Sequence, residues 1–463
     1  MLQLSSAMLQ KLNVIPGREV VFSAGSKKSV AAVEKNSADA NIFSVDPNTL
    51  GKVCLRGINQ PLAFFYNKSG NELKIGPIVA ILSGIPVMLL DPEVISLYQT
   101  IAAAARDAGM LFYIFTPDLI DFENGTVNGF QYGSNSRSSK GWVIQEFPLP
   151  DVIYNQVGFI SNDLKPVYRK LLLDYLKEHA AVKLINPFWA LNDKLVTHKN
   201  IYNDRQVKAY LPETRQYSSG SDVLALLKKY GAVHLKPTVS SLGRGIYKVS
   251  LHENEQFIVE FHQPKGAKIT ENIYGKVALC DKLQKIISQQ PYLVQQSIDL
   301  LCYENRPVDF RVHLFKNARG RWDLLAIKAR LGPVAGVVTG PAWGGFRLRG
   351  DKLLETVFSR GDAGHILREI EAAALTIARV LGRLFAKEFG ELGFDMGVSR
   401  NKKVWMIEVN PKPNWNVPPE ADAAKAEKNL AEHFLGYCRY LLNLNELNVS
   451  VGTPVRNAQL CWH

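Results

Sequence analysis

"GFDMGVSRNKKVWMIEVNPKPN", which runs from Gly393 to Asn414, places three polar residues inside two apolar segments. Valine, isoleucine, methionine and tryptophan dominate these segments and are typical of buried strands. Asp395, Glu408 and Asn410 interrupt the pattern, and a buried carboxylate is costly unless a partner compensates its charge. We therefore predict a β-hairpin whose polar side chains share one binding partner.

The strand pairing follows from the predicted turn between Asn401 and Lys402, which sets Asp395 opposite Glu408. Because side chains alternate along a strand and cross-strand partners share a face, Asn410 joins these two on one side of the sheet. Facing carboxylates repel each other, and a bound divalent cation removes that repulsion. An all-oxygen ligand set suits Mg²⁺ or Mn²⁺. The alternative is a solvated sheet face whose polar residues meet water.

A second segment, "HLKPTVSSLGRGIYKV" from His234 to Val249, predicts a loop that covers phosphate. Lys236 ends an apolar strand, where an ammonium group needs an anion. The small residues of the loop allow backbone N–H groups to close on phosphate oxygens. These residues are Ser240, Ser241, Gly243 and Gly245. The segment matches neither a P-loop nor a dinucleotide-binding fingerprint, and an ordinary β-turn is the alternative.

Polar residues also follow the strand in "YLVQQSIDL", which starts at Tyr292. Gln295, Gln296 and Asp299 bring amide and carboxylate groups to the strand end, where they can hold adenine and ribose. The alternative is an ordinary polar strand end.

Charged residues alternate in two neighbouring segments, "DFRVHLF" and "AIKAR", which a turn at residues 317–320 joins into a predicted hairpin. Asp309 and Arg311 share one face of their strand, and Lys328 and Arg330 share a face of theirs. Surface strands often carry such charges. Beside a nucleotide and a metal, however, the basic residues are candidates for stabilising a transferred phosphate or an anionic substrate.

The composition is that of an ordinary globular protein with two to four domains: 463 residues, 46% hydrophobic and 21% charged. The net charge of +12 is spread along the chain, which favours phosphate or carboxylate ligands over nucleic acid. The five cysteines are dispersed, which indicates reduced thiols, a cytoplasmic protein and no zinc site. We find neither a secretion signal nor an apolar run long enough for a bilayer, and expect no membrane partner.

Changes in the pattern of apolar and polar residues divide the chain into five expected regions. These are a small β-rich unit at 1–74, a β-α-β region at 75–190, two α+β regions at 191–298 and 299–445, and a tail at 446–463. We predict a β-hairpin in "GREVVFSAGSKKSVAAVEK", with its turn at Ala24–Ser26. "IVAIL", a helix and "LFYIF" form a βαβ unit, which implies a parallel sheet. Apolar residues at three- and four-residue spacing predict a long helix over 365–390.

Taken in order, these segments resemble the ATP-grasp superfamily over roughly Ile75 to Leu442. The resemblance rests on "LNDK", "HLKP", "YLVQQ", "DFRV", "AIKAR" and above all "DMGV…MIEVNPKPN". At finer grain the chain is similar to the YheC/YheD family of endospore coat-associated ATP-grasp proteins, through "IGPIVAILSG", "PDVIYNQVG" and "LPET". The fold class that this implies is α/β and α+β: an ATP-grasp fold behind a Rossmann-like domain and a small β-rich N-terminal domain.

The resemblance also implies roles for individual residues. Magnesium would be held by Asp395, Glu408 and Asn410. ATP would be bound by Lys194, Lys199, Lys236, Ser240, Ser241, Gly243, Gly245, Gln295, Gln296 and Asp299, with Lys199 as a substitute for Lys194. The γ-phosphate or substrate would be faced by the catalytic candidates Arg311, Lys328 and Arg330. "TGPAWGGF" lies where relatives carry a substrate loop.

The function implied is ATP-dependent ligation of a carboxylate to an amine through an acylphosphate, with ATP and Mg²⁺ or Mn²⁺ as cofactors. The carboxylate and the amine are each a small molecule, a peptide or a protein side chain. A structural or assembly protein of the spore coat with an ATP-grasp fold and little turnover is the alternative. The resemblance leaves open a homo-oligomer and association with the spore coat.

Overall fold

The computed structural model describes most of the chain, in two compact units. The described residues are 1–36, 43–58, 60–133, 141–158, 160–187, 193–240, 243–263, 267–287, 290–339, 344–385, 389–413, 423–444 and 450–451. The first unit comprises Met1–Pro187, Lys316–Arg321 and Asn414–His463, and the second comprises Phe188–Phe315 and Trp322–Pro413. The finer domain boundaries expected from sequence stay predictions.

The strands and helices have the following bounds. The strands are β1 Leu2–Ser5, β2 Glu19–Ala24, β3 Lys27–Asn36, β4 Phe43–Val45, β5 Ala63–Asn67, β6 Glu72–Ile75, β7 Ile78–Leu82, β8 Leu111–Phe115, β9 Ile120–Asp121, β10 Thr126–Tyr132, β11 Trp142–Pro148, β12 Val152–Asn155, β13 Lys183–Ile185, β14 Thr214–Gln216, β15 Ala232–Pro237, β16 Tyr247–Leu251, β17 Gln256–His262, β18 Lys268–Tyr274, β19 Tyr292–Gln296, β20 Cys302–Tyr303, β21 Arg306–Lys316, β22 Trp322–Leu331, β23 Phe346–Arg349, β24 Glu391–Val398, β25 Val404–Asn410 and β26 Ser450–Val451. The α-helices are α1 Ser6–Leu12, α2 Pro47–Lys52, α3 Pro92–Asp107, α4 Lys165–Arg169, α5 Leu176–Glu178, α6 Lys194–Ile201, α7 Gly220–Tyr230, α8 Lys276–Ile287, α9 Gly350–Val357, α10 Arg360–Phe385 and α11 Ala423–Leu441. A π-helical turn, Lys170–Tyr175, joins α4 to α5.

The first unit contains the predicted hairpin and the predicted βαβ unit. Strands β2 and β3 pair antiparallel with Ala24 opposite Lys27, so Gly25 and Ser26 form the turn as expected. Strand β7 pairs in parallel with β8 and with β12, in a sheet ordered β11-β10-β8-β7-β12-β13 with β9 beside β10. Because β8 and β12 lie on opposite sides of β7, this sheet has the Rossmann-like arrangement expected from the sequence.

The second unit is built on two six-stranded sheets. The first has the order β14-β19-β15-β16-β17-β18 and is antiparallel in the pairs β15/β16, β16/β17, β17/β18 and β15/β19. Helices α7 and α8 cover it through Val223, Leu226, Leu279 and Leu283. The second sheet has the order β23-β22-β21-β24-β25, with β20 beside β21.

One face of the second sheet is apolar and lies against α10, and this fixes where its polar residues point. Phe310, Phe394 and Met406 lie in one buried cluster with Ile370 and Ile377 of the helix. Because strand side chains alternate, the odd-numbered residues of β21 and β24 are left on the opposite face. None of the described helices combines the length and apolarity needed to cross a bilayer.

Candidate active site

The hairpin of β24 and β25 pairs Asp395 with Glu408, as predicted, and Gly393 with Asn410. The turn differs from the prediction by half a residue, because Val398 pairs with Val404 and the turn is therefore centred on Asn401. A β-bulge beside Asp395 shifts the register by one residue and restores the predicted pairing. Bulges of this kind re-aim side chains and are common beside active sites.

Two arginines from neighbouring strands hold the Asp395 carboxylate. Arg311 Nε lies 2.5 Å from Asp395 Oδ1, and Arg330 Nη2 lies 2.8 Å from Asp395 Oδ2. Burial raises the pKa of Asp395, but the attraction of both arginines outweighs it and lowers this pKa to about 2. The carboxylate is therefore ionised throughout the neutral pH range.

Arg330 also binds Asp309, so one guanidinium group bridges two buried carboxylates. Its Nε and Nη2 atoms lie 2.7 and 2.5 Å from the two oxygens of Asp309. Thr339 donates a further hydrogen bond to Asp309. Burial alone would lower the pKa of Arg330, and the two carboxylates raise it instead. A bidentate arginine held in this way has little freedom to reorient.

Lys194, at the first turn of α6, lies near Glu408. The Nζ atom of Lys194 lies 3.2 Å from Glu408 Oε1 and donates to the backbone oxygen of Ser240 at 2.7 Å. Lys194 thereby connects the predicted phosphate loop to the predicted metal site. Asp193 accepts hydrogen bonds from the backbone of residues 195 and 196 and caps the start of the helix.

The predicted metal ligands fit Mg²⁺ by their chemistry. No group of three or more His, Cys, Asp or Glu side chains able to hold a metal occurs among the residues with described positions. The set is instead two carboxylates and an amide, which suits an ion that keeps waters and takes phosphate oxygens. The Asn410 Nδ2 atom is buried and has no hydrogen-bond partner within the described part of the chain. This nitrogen is a donor, so it can bond to a phosphate oxygen or to water, and only the Oδ1 atom of the same amide could ligate the ion.

A cleft that is partly open to solvent lies between the two sheets of the second unit. It is lined by Lys194, Thr197, His198, Thr214, Lys236, Leu293, Gln295, Met406, Ile407, Glu408 and Val409. The apolar members can contact a flat aromatic ring, and the lysines lie with Glu408 at its polar part. This combination is typical of small-molecule sites.

Lys236 is the most perturbed cation in this cleft. Its Nζ atom donates to Gln295 Oε1 at 2.6 Å, and the residue is 9% exposed. Burial lowers the pKa of Lys236 to about 8, against the opposing attraction of Glu408. A buried ammonium group with so little compensation is prepared to bind an anion.

The described glycines of the predicted phosphate loop have positive φ. Gly243 and Gly245 have φ of 70° and 72°, a region that side chains other than glycine rarely adopt. Tyr292 donates a hydrogen bond to the backbone oxygen of Gly245 at 3.1 Å. Ser240 is half-buried beside Lys194, and Ser241 lies outside the described residues.

Of the other residues predicted to contact ATP, some line the cleft and some do not. Gln295 lines the cleft, whereas the Gln296 side chain accepts from the backbone N–H of Glu213 at 3.3 Å. Lys199 is exposed and binds Gln216 at 3.1 Å. Asp299 is exposed, with Oδ1 3.4 Å from Arg400 Nε. Gln296, Lys199 and Asp299 do not line the cleft.

The sequence analysis missed Thr197, whose buried Oγ1 atom lacks a partner within the described residues and which lines the cleft. Thr197 and His198 lie three and four residues after Lys194, so helical spacing places all three on one face of α6. That spacing was a usable signal. His198 itself contacts the Pro212 backbone oxygen through Nε2 at 3.2 Å, and burial lowers its pKa.

Two sheets with a cleft between them, lined by Lys194, Lys236 and Glu408, are the arrangement of an ATP-grasp protein. A family model described as YheC/D-like ATP-grasp matches residues 181–441, and the chain belongs to this family. The chain is 27% identical over 381 residues to the endospore coat-associated protein YheD of Bacillus subtilis (strain 168), covering 80% of each chain. It is 25% identical over 313 residues to the endospore coat-associated protein YheC of the same organism, covering 68% of this chain and 83% of YheC.

Solved structures resemble the chain more distantly. The ATP-grasp ligase PsnB complexed with minimal precursor has a TM-score of 0.42 and 12% identity, covering 78% of this chain and 98% of PsnB. The D-cycloserine synthetase DcsG has a TM-score of 0.43 and 13% identity, covering 77% of this chain and 99% of DcsG.

Proposed function

We propose that the protein is an ATP-dependent carboxylate–amine ligase that works through an acylphosphate. The observation that carries this proposal is the shared face of the second sheet. There Arg330 bridges Asp309 and Asp395, beside a cleft that contains Lys194 and Lys236. Basic groups next to ionised carboxylates are what phosphoryl transfer requires for positioning and charge stabilisation.

Nucleotide binding is the first step of the proposal. Lys236 and Lys194 bind phosphate oxygens, and the loop from Ser240 to Gly245 covers them with backbone N–H groups. Gln295 orients the base, since its side-chain amide already lies in the cleft. Because Lys236 is buried, its charge interacts with phosphate more strongly than an exposed lysine would.

Asp395, Glu408 and Asn410 are the residues that would hold Mg²⁺. The ion, when bound, neutralises phosphate charge and aligns the γ-phosphate. Asp395 remains ionised because Arg311 and Arg330 lower its pKa to about 2. A carboxylate has about four acceptor positions, so one that binds two arginines can still coordinate a metal ion.

The group transfer itself needs no protein nucleophile. A carboxylate oxygen of the substrate attacks the γ-phosphorus, the bond to the β-phosphate oxygen breaks, and ADP leaves. The amine then attacks the acyl carbon, phosphate leaves with its oxygen, and the amine loses a proton as the amide forms. Arg311, Lys328 and Arg330 stabilise the anionic intermediates of both steps.

A structural or assembly role in the spore coat is the second candidate. It is supported by the names of the relatives YheD and YheC, and by the ion pairs of Asp395, which can stabilise a fold without any ligand. Under this reading the protein is spore-associated, whereas the ligase reading fits a cytoplasmic protein that also acts at the coat.

One experiment separates the two candidates. ATP with Mg²⁺ raises the melting temperature of the ligase by mass action, because it binds only the folded state. ADP release is then screened over pools of carboxylates and amines. A missing shift at millimolar ATP favours the structural role, whereas a shift with carboxylate-dependent ADP release supports the ligase.

A further inference from the structure

We propose that β23 extends the site and selects a substrate rich in carboxylates, namely an acidic peptide. This inference rests on the proposed ligase function, and it assigns Arg347 and Arg349 as specificity-determining residues. The substrate carboxylate that becomes phosphorylated lies near Arg330, and neighbouring carboxylates of the same peptide bind along β23.

Strand register brings four basic residues together. Arg330 lies opposite Arg347, and Lys328 lies opposite Arg349. Because cross-strand partners share a face, all four side chains project from one side of the sheet. The contacts of Arg330 with Asp309 and Asp395 show that this side is the candidate active site.

Charge changes sign across this face of the sheet. The carboxylates of Glu408 and Asp395 lie on β25 and β24, at the edge proposed to bind the metal. The basic residues lie on β22 and β23, toward the opposite edge. The basic edge of this face attracts anions from solvent.

Exposure indicates the direction from which the substrate arrives. Arg347 and Arg349 are exposed on the edge strand, whereas the Arg330 side chain is 11% exposed. A ligand from solvent therefore meets β23 before it reaches Arg330. Asp351 binds Arg349 through two hydrogen bonds of 2.8 and 3.1 Å and offsets part of its charge. Arg347 lies directly opposite Arg330 and is therefore the residue to change.

The chemistry of these four basic residues favours an acidic peptide over a nucleic acid. Three of the four are arginines, whose planar fork matches a carboxylate with two parallel hydrogen bonds. Sequence-tolerant nucleic-acid sites add aromatic rings on which bases stack, and these four positions supply none. An edge strand also has backbone groups that an extended peptide can pair with.

The test measures binding of fluorescein-labelled hexaglutamate by fluorescence anisotropy, with Mg²⁺ and a non-hydrolysable ATP analogue present. Arg347→Gln should weaken binding by about tenfold, as loss of a charge-assisted hydrogen bond predicts. The matched control is Arg379→Gln, which removes the same charge from an exposed position on α10, on the other side of the sheet. It should leave the affinity unchanged.

Five other outcomes support or overturn the inference or the function on which it rests. Binding that falls with salt and is lost with hexaglutamine supports the inference. Equal losses in Arg347→Gln and Arg379→Gln overturn it, because the attraction is then one of net charge. Tighter binding of oligothymidylate than of hexaglutamate also overturns it. If the ATP-dependent melting shift is intact while hexaglutamate does not bind, only this inference fails; if the shift itself is absent, the proposed function fails.

Discussion

Arg330 reaches Asp395 across the intervening strand β21, with Nη2 2.8 Å from Oδ2, while the same guanidinium group binds Asp309. Both aspartate residues are at most 7% exposed. Buried ions are tolerated only when they are paired and hydrogen-bonded. The arginine therefore has a structural role besides the chemical one proposed for it, and variants must separate the two.

Arg330→Ala should lower the free energy of unfolding by about 3 kcal/mol, because Asp309 and Asp395 lose a shared partner while remaining buried. Chemical denaturation measures this loss. Arg330→Lys keeps the charge and loses the bidentate geometry. It should fold and bind ATP, with turnover reduced more than ATP affinity, since the charge on the substrate is greatest in the transition state. Proportional losses in both quantities would make Arg330 only a nucleotide contact.

Asp395→Asn and Glu408→Gln should each reduce Mg²⁺-dependent ATP turnover by at least about a hundredfold, because they remove a hard anionic ligand at the proposed metal site. Circular dichroism checks that both variants fold. Glu355→Gln is the matched control, since this residue is an exposed carboxylate on α9 that pairs with Lys352. Full activity in both site variants would reject these residues as metal ligands.

Period-two alternation was sufficient to place Asp395, Glu408 and Asn410 on one face from sequence alone. The exact centre of the turn was not predictable from the sequence. Lys402 adopts φ of 67°, and the bulge beside Asp395 compensates for the half-residue shift of the turn. The pairing of Arg330 with Asp395 was also beyond the sequence. Strands β21 and β22 follow each other through a short turn, but β24 is reached only after a long connection, and no local pattern encodes the register between strands joined in that way.

Lys236 gives a prediction about pH. Burial lowers its folded-state pKa from 10.5 to about 8. Between pH 8 and pH 10.5, Lys236 is therefore protonated in the unfolded chain and deprotonated in the folded protein. The unliganded protein therefore gains stability as pH rises from about 8 to 10.5. Lys236→Met should remove this rise relative to wild type, and urea denaturation at pH 8 and 10 measures the difference. Lys276→Met, at an exposed residue paired with Glu255, should retain it.

The same titration couples to nucleotide binding. Phosphate charge favours the protonated Lys236, so ATP binding near pH 9 should take up a proton, and affinity should fall as pH rises through about 8. Calorimetry in two buffers of different ionisation enthalpy measures the uptake. A binding enthalpy that is the same in both buffers would contradict the contact between Lys236 and phosphate.

The order of bond formation separates a ligase from a kinase. An acylphosphate is consumed by the amine, so the products should be ADP, phosphate and a new amide, whereas a kinase leaves a stable phosphorylated product. With the amine withheld, hydroxylamine should attack the acyl carbon in its place and release phosphate as a hydroxamate forms. Mass spectrometry detects that product, and its yield should require both ATP and the carboxylate. Arg311→Lys should lower the yield, because this arginine lies beside Asp395 on the face where the intermediate would form. Arg379→Lys, on the far side of the sheet, should leave it unchanged. Accumulation of a stable phosphorylated product without hydroxamate would reject the ligase and leave phosphoryl transfer as the reaction.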